Sequence, residues 1–188
     1  MIISLSGKPG SGKSTVARKL AADLGYERIY IGGMRREVAR KKGMTLAEFN
    51  KWGEEGNDAD AEFERYVEEL GKTKDNFIIE SRTAFHFIPR SLKIFIDVSP
   101  EEGAKRIWGA IEKNSQPNRN EDSNLQSHED VLQSIKERMK SDDFRYKKYY
   151  DIDIFEEKNY DLFLDTTNLN PEEEYQAVYD FVKEKLVK

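Results

Sequence analysis

A chain of 188 residues with 31 basic and 36 acidic side chains, a formal net charge of −5, has the size of one domain and the wrong sign for a dedicated nucleic-acid or membrane-surface binder. The absence of cysteine excludes disulfides, thiolate catalysis and cysteine–zinc sites, and two histidines, His86 and His128, leave little for a histidine metal centre or serine–histidine chemistry. With 37% hydrophobic and 36% charged residues, the core must be concentrated in a few short segments beneath a very polar surface.

Ile2–Leu5 reads as the first strand, interrupted too soon by Ser6-Gly7 to be a signal peptide. A helix is expected over Ser14–Leu24, with Val16, Leu20 and Leu24 on one face and Gly25 ending it. Arg28–Ile31 reads as the second strand. Ala61–Leu70 follows as a helix carrying Phe63, Tyr66, Val67 and Leu70, with Gly71 as its terminator. Phe77–Glu80 and Leu92–Asp97 read as strands, and Ser99-Pro100-Glu101-Glu102 opens a helix over Pro100–Ile111. Lys113–Ser127 is polar, with one proline and one leucine, and reads as a long exposed loop, an insertion within the domain. Asp161–Leu164 is the last strand, and Asn170-Pro171-Glu172-Glu173 opens a final helix over Pro171–Lys188. Four of the five strands are nearly continuous apolar runs, as strands buried on both faces are. Strands alternating with helices predict an α/β fold with a parallel sheet. No apolar run approaches the roughly 20 residues needed to cross a bilayer, and the expected location is cytoplasmic.

Residues 7–14, Gly-Lys-Pro-Gly-Ser-Gly-Lys-Ser, satisfy G-x-x-x-x-G-K-[ST] between a predicted strand and a predicted helix. Glycines let the backbone aim several N–H groups at one centre, and the helix N-terminus adds partial positive charge. Lys13 supplies a full charge to the outer phosphates of a nucleoside triphosphate, and the Ser14 hydroxyl can ligate Mg2+ shared with them. The guanine-reading N-K-x-D of GTPases is absent, since Thr73-Lys74-Asp75-Asn76 ends in the wrong residue. A small phosphate-loop chain with a late polar insertion suggests a small-substrate kinase. Such an enzyme needs cations at the acceptor, the transferring phosphoryl group and a lid. Arg35-Arg36 follows Gly32-Gly33 after the second strand, Arg82 follows Glu80-Ser81 at the end of the third, and Arg138, Asp142 and Arg145 fall at i, i+4 and i+7 on one helix face.

The phosphate loop and following helix, Ser6 to Arg18, together with Arg40–Phe49 (RKKGMTLAEF), Arg145–Asp153 (RYKKYYDID) and Tyr160–Thr167 (YDLFLDTT), resemble the nucleoside monophosphate kinases, and most closely the short, archaeal-type cytidylate kinases. The resemblance covers almost the whole chain. It implies a P-loop NTPase fold with five parallel strands flanked by helices, a helical acceptor-binding part at about 32–72, a lid region at about 113–150 and a core of about 1–31, 73–112 and 155–188. It implies ATP and Mg2+, and transfer of the γ-phosphoryl group to CMP or dCMP. Gly7, Lys8, Pro9, Gly10, Ser11, Gly12, Lys13, Ser14, Thr15 and Arg106 would hold ATP. Arg36, Arg82 and Arg138 would hold the monophosphate, and Lys13, Arg138, Arg145 and Asp142 would serve the transfer. Ser14 would reach the metal, with Glu80 behind it.

Ser81 and Ala110 depart from the family pattern, where glycine and arginine are usual, and the 113–127 insertion is long. These departures keep two alternatives open: a kinase of the same fold acting on AMP, UMP or a small hydroxyl compound, and a nucleotide sensor that has lost transfer. Asp60 falls in the acid-rich Glu54–Glu64 stretch and reads as solvated; the cations around Arg36 read as a charged helix face. His86 and His128 read as bland, and Phe85, Phe87 and Trp108 as packing. The partners expected are small nucleotides, without polymeric nucleic acid or membrane, and the composition favours a monomer.

Overall fold

The structure, a computed structural model, describes residues 1–57, 59–113 and 125–187. Five strands, β1 (Ile2–Gly7), β2 (Glu27–Tyr30), β3 (Phe77–Glu80), β4 (Leu92–Asp97) and β5 (Leu162–Asp165), form one parallel sheet in the order β2-β3-β1-β4-β5. The helices are α1 (Lys13–Leu24), α2 (Ile31–Lys41), α3 (Leu46–Glu54), α4 (Ala61–Thr73), the short α5 (Ala84–Phe87), α6 (Pro100–Glu112), α7 (His128–Tyr150) and α8 (Pro171–Leu186).

Alternation along the central strands splits the core into two layers. Ile2, Phe77 and Ile79 point to the side covered by α2, α3 and α4, where they meet Phe49, Phe63 and Val67. Ile3, Leu5, Ile78, Ile94 and Ile96 point to the other side and meet Val16, Leu20, Val178 and Val182 of α1 and α8. Ile3, Ile78 and Ile94 are fully buried, and each such side chain contributes about 1.5–3 kcal/mol relative to exposure. β1 and β3 are buried along their whole length, as their apolar runs imply, whereas the edge strands β2 and β5 are only partly covered.

Capping follows the sequence signals. Gly25 closes α1 at φ 66°. Ser99 accepts from the Glu102 N–H at the start of α6, and Asn170 forms a reciprocal capping box with Glu173 at the start of α8. Two expectations need correction. Ile31 opens α2 instead of ending β2, so the Gly32-Gly33 pair lies in the first turn of a helix. Gly71 does not end α4, which continues to Thr73; a Cβ at Gly71 would lie 2.9 Å from the Ile88 side chain, so the glycine is there to let Ile88 pack.

α2, α3 and α4 are inserted between β2 and β3, and α7 lies against α6 and α3. Trp108 packs with Ala104, Ile107, Val131 and Ile135 between α6 and α7, and Phe85 with Tyr146, Ile152 and Ile154, the packing roles expected of both. Most of the predicted 113–127 loop, residues 114–124, lies outside the described residues. No helix among the described residues is long and apolar enough to cross a membrane.

Candidate active site

The turn between β1 and α1 is built by backbone, as its motif requires. Gly10 stands at φ 79°, and a Cβ there would lie 2.4 Å from the carbonyl oxygen of Gly103 in α6, so the loop and that helix meet main chain to main chain. Gly12 stands at φ 87° and caps α1 without any side-chain cap bond, which leaves the first N–H groups of the helix directed at the loop. The Ser11 hydroxyl is buried with no hydrogen-bond partner among the described residues. An orphaned hydroxyl and a helix N-terminus in one turn suit an anion. The Lys8 ammonium instead pairs with Asp97 Oδ1 at 2.6 Å, and its N–H donates to Ile96 O. Its part in the loop is therefore the backbone turn. Thr15 is exposed on α1, with its N–H on Gly12 O.

One cleft brings together Lys13 and Ser14 of this loop, Arg35 and Arg36 of α2, Glu80 and Arg82 at the end of β3, and Arg138 and Asp142 of α7. Asn50, Glu64 and Tyr146 line it as well. The Ser14 hydroxyl donates to Glu80 Oε2 at 2.7 Å, and Arg28 Nε donates to Glu80 Oε1 at 2.6 Å. With its proton on Glu80, Ser14 keeps its lone pairs for a cation, so the pair fits Mg2+ held directly by Ser14 and indirectly by Glu80. No cluster of His, Cys, Asp and Glu among the described residues could hold a metal by itself, so phosphate oxygens would have to complete the coordination.

Along the cleft wall and behind it runs an alternating chain of charges. Arg82 donates to the carbonyl of Gly7 and, through Nε, to Asp142 Oδ2 at 3.1 Å. Arg145 Nη2 donates to Asp142 Oδ1 at 2.6 Å, and its Nη1 to Asp60 Oδ2 at 3.1 Å. Asp60 also receives Arg35, whose Nη2 donates to Asn50 Oδ1 at 3.0 Å. The chain joins β1, β3, α7, α4, α2 and α3. Burial pushes the Asp142 carboxyl up, but the guanidinium groups of Arg82, Arg145 and Arg138 outweigh it and hold the carboxyl well below the usual range. Arg145 is 0% exposed and does not line the cleft, so its place is behind Asp142. Arg36, Arg82 and Arg138 do line it, and Arg36 bonds the Tyr30 hydroxyl.

Arg106 lies on another side of the loop, at the junction of β5 and α8. It donates to Thr166 O at 2.6 Å and to Glu102 at 3.2 Å, and Nη1 stands 3.9 Å from Glu174. The Glu174 carboxyl is packed on Gly12, and its Oε1 has no hydrogen-bond partner among the described residues. Burial pushes this carboxyl up to about 7 despite Arg106 and Lys13. Glu64 also reaches about 7, raised by burial and Asp60 against the Thr83 hydrogen bond, Arg35 and Arg145. A carboxyl whose pKa is raised by folding contributes stability below its unfolded value and loses it as pH climbs through the folded one. Stability is therefore expected to decline between about pH 4.5 and 7, by up to about 3 kcal/mol for each group. Thermal unfolding across that range should show a shallower decline in Glu174→Gln than in the wild type. Equal slopes in the two proteins would remove Glu174 from this account.

The structure corrects one surface assignment: Asp60 is 4% exposed and is ion-paired on both oxygens, not solvated. Arg35, read as part of a charged helix face, is buried beside it, and Asn50, Glu64, Tyr146 and Glu174 were not singled out at all. A signal was present for two of them. Asp60, Glu64, Val67 and Gly71 fall at i, i+4, i+7 and i+11, which puts both carboxylates in the apolar stripe of α4.

Known proteins supply the family and the fold. Residues 3–127 match the family model described as AAA domain. A cytidylate kinase of Natronomonas pharaonis is 36% identical over 174 residues, covering 92% of this chain and 84% of that protein. A cytidylate kinase of Sulfurisphaera tokodaii is 32% identical over 190 residues, covering 100% and 98%. Among solved structures, a shikimate kinase from Bacteroides thetaiotaomicron superposes with a TM-score of 0.62 at 15% identity, covering 97% of this chain and 98% of the other, a likeness of fold. With its five-stranded parallel sheet, its phosphate loop and its arginine-lined cleft, the chain belongs to the cytidylate kinase family.

Proposed function

We propose that this chain transfers the γ-phosphoryl group of ATP to the 5′-phosphate of CMP or dCMP. The observation that carries the reading is the single cleft in which Lys13 and Ser14 of the phosphate loop share walls with Arg36, Arg82 and Arg138. In this reading α2, α3 and α4 hold the acceptor, and the start of α7 belongs to the lid. Lys13 steadies the transferring group, and Arg36 and Arg82 hold the acceptor phosphate. Arg138 spans donor and acceptor. Arg145 acts through Asp142, keeping its carboxylate in place between Arg82 and Arg138. When bound, Mg2+ would neutralise part of the phosphate charge from Ser14. No general base is needed, because an ionised acceptor phosphate is already a nucleophile. Positioning and charge neutralisation therefore carry the rate.

A coupled assay of ADP release, with ATP, Mg2+ and CMP, dCMP, UMP, AMP, GMP, dTMP or no acceptor, tests this. Turnover with CMP or dCMP well above the other acceptors is the expected result. Preference for a different monophosphate would overturn the acceptor and keep the chemistry. ATP binding without stimulation by any of them would overturn the transfer itself.

A further inference from the structure

The part of the cleft furnished by α3 and α4 carries a hydrogen-bonding pattern that the phosphoryl chemistry does not use. Glu64 of α4 lines the cleft at 4% exposure. The Thr83 hydroxyl donates to Glu64 Oε2 at 2.5 Å. Thr83 Oγ1 stands 3.2 Å from Ser81 Oγ, and the Thr83 N–H donates to Ser81 Oγ at 3.1 Å. Thr83 has one hydroxyl proton, and Glu64 takes it, so Ser81 is the donor in the hydroxyl pair. Ser81 thus orients Thr83, and Thr83 orients Glu64. On α3, Asn50 Oδ1 accepts from Arg35 Nη2 at 3.0 Å. A guanidinium only donates, so the contact fixes the amide and makes Nδ2 the donor presented elsewhere.

The charged groups acting on Glu64 are Asp60 at the N-cap of α4, Arg35 from α2 and Arg145 from α7. Arg35 and Arg145 are both committed to Asp60, so neither forms an ion pair with Glu64. The cleft therefore offers an acceptor on Glu64 and a donor on Asn50.

We infer that Glu64 and Asn50 read the base of the acceptor, Glu64 accepting from the exocyclic amine of cytosine and Asn50 Nδ2 donating to the adjacent ring nitrogen. The inference rests on the acceptor reading above and names the residues that enforce it. Cytosine carries an amine donor at C4 and an unprotonated N3. Uracil carries a carbonyl oxygen at C4 and a protonated N3, so both contacts become mismatched. An unpaired buried polar group is costly, so rejection of uracil follows from the same two residues that accept cytosine. Adenine offers the same amine and ring-nitrogen pair as cytosine. The pattern therefore separates bases with an amine from bases with a carbonyl, and the test is CMP against UMP.

The experiment measures kcat/KM for CMP, UMP and the pyrimidinone ribonucleotide that lacks the C4 amine, first with the wild type and then with Glu64→Gln. In the variant, the new carboxamide can keep the Thr83 contact through its oxygen and turn its NH2 to the cleft, a donor where the amine of cytosine needs an acceptor. The CMP-to-UMP ratio is expected to fall about ten- to a hundredfold, with the ATP KM unchanged. The wild type is expected to use the amine-free nucleotide about tenfold or more less well than CMP. That second measurement decides the matter if Glu64→Gln does not fold. A wild type that prefers CMP but uses the amine-free nucleotide equally well, or a folded variant that keeps the full CMP preference, overturns the role of Glu64 and leaves the acceptor reading standing. A wild type that fails to prefer CMP over UMP overturns both.

Discussion

Replacing Lys13 by methionine is expected to lower kcat by about 10²–10⁴-fold, the scale for removing one positioned charge from a phosphoryl or oxyanion site. Lys13 is the first residue of α1 and lines the same cleft as Arg36, Arg82 and Arg138. Charge in the transfer spreads over the equatorial oxygens of the phosphoryl group, and a methionine of similar length offers them nothing. The sheet and both apolar layers are untouched, so thermal unfolding should change little. One indirect effect is also expected. Lys13 lowers the pKa of Glu174, so the midpoint of the pH-dependent loss of stability should move upward in the variant. A Lys13→Met protein that turns over within tenfold of the wild type would leave the loop without its assigned role.

The second large effect is on stability. Asp142→Asn keeps the shape of the side chain and removes the one anion that Arg82 and Arg145 share. Breaking a buried ion pair from one side costs about 3–5 kcal/mol, because the remaining charge stays desolvated. At this chain length the melting temperature should fall by roughly 10 °C. Adding Arg82→Met to Asp142→Asn should recover part of the loss, since Arg145 keeps its pair with Asp60 whereas Arg82 is left without a carboxylate, and the two substitutions should then be far from additive. The wild type should lose the same stabilisation only in strong acid. The Asp142 carboxyl is held below its ordinary range, so its contribution is complete above that range and fades as pH drops toward the folded value. A melting temperature for Asp142→Asn within about 2 °C of the wild type would mean that the charge chain contributes little.

What the sequence disclosed and what it concealed divide along a physical line. The phosphate loop was legible because glycine torsions and a helix start are set within eight residues. The sheet was legible because strands covered on both faces read as nearly continuous apolar runs, and Arg82 because it follows a strand end, where ligands bind in open α/β sheets. The partners of these residues were not. Asp60 meets Arg145 across 85 positions and Arg82 meets Asp142 across 60, and nothing local marks either pairing. An acid-rich segment looks solvated until the fold puts guanidinium groups against it. Gly71 looked like a stop signal because a glycine that ends a helix and one that admits a neighbour's side chain are the same letter.

The contact of Gly10 with Gly103 makes a stiff joint of the phosphate loop and α6. Side chains can rotate and absorb a displacement, whereas two main chains packed against each other leave little slack between them. α6 carries α7 on its flank through Ala104, Ile107, Val131 and Ile135. A rocking of that helix pair would therefore reach the phosphates as an almost undamped shift of the loop that cradles them, and a bulkier residue at either glycine would reset the rest position of the whole lever.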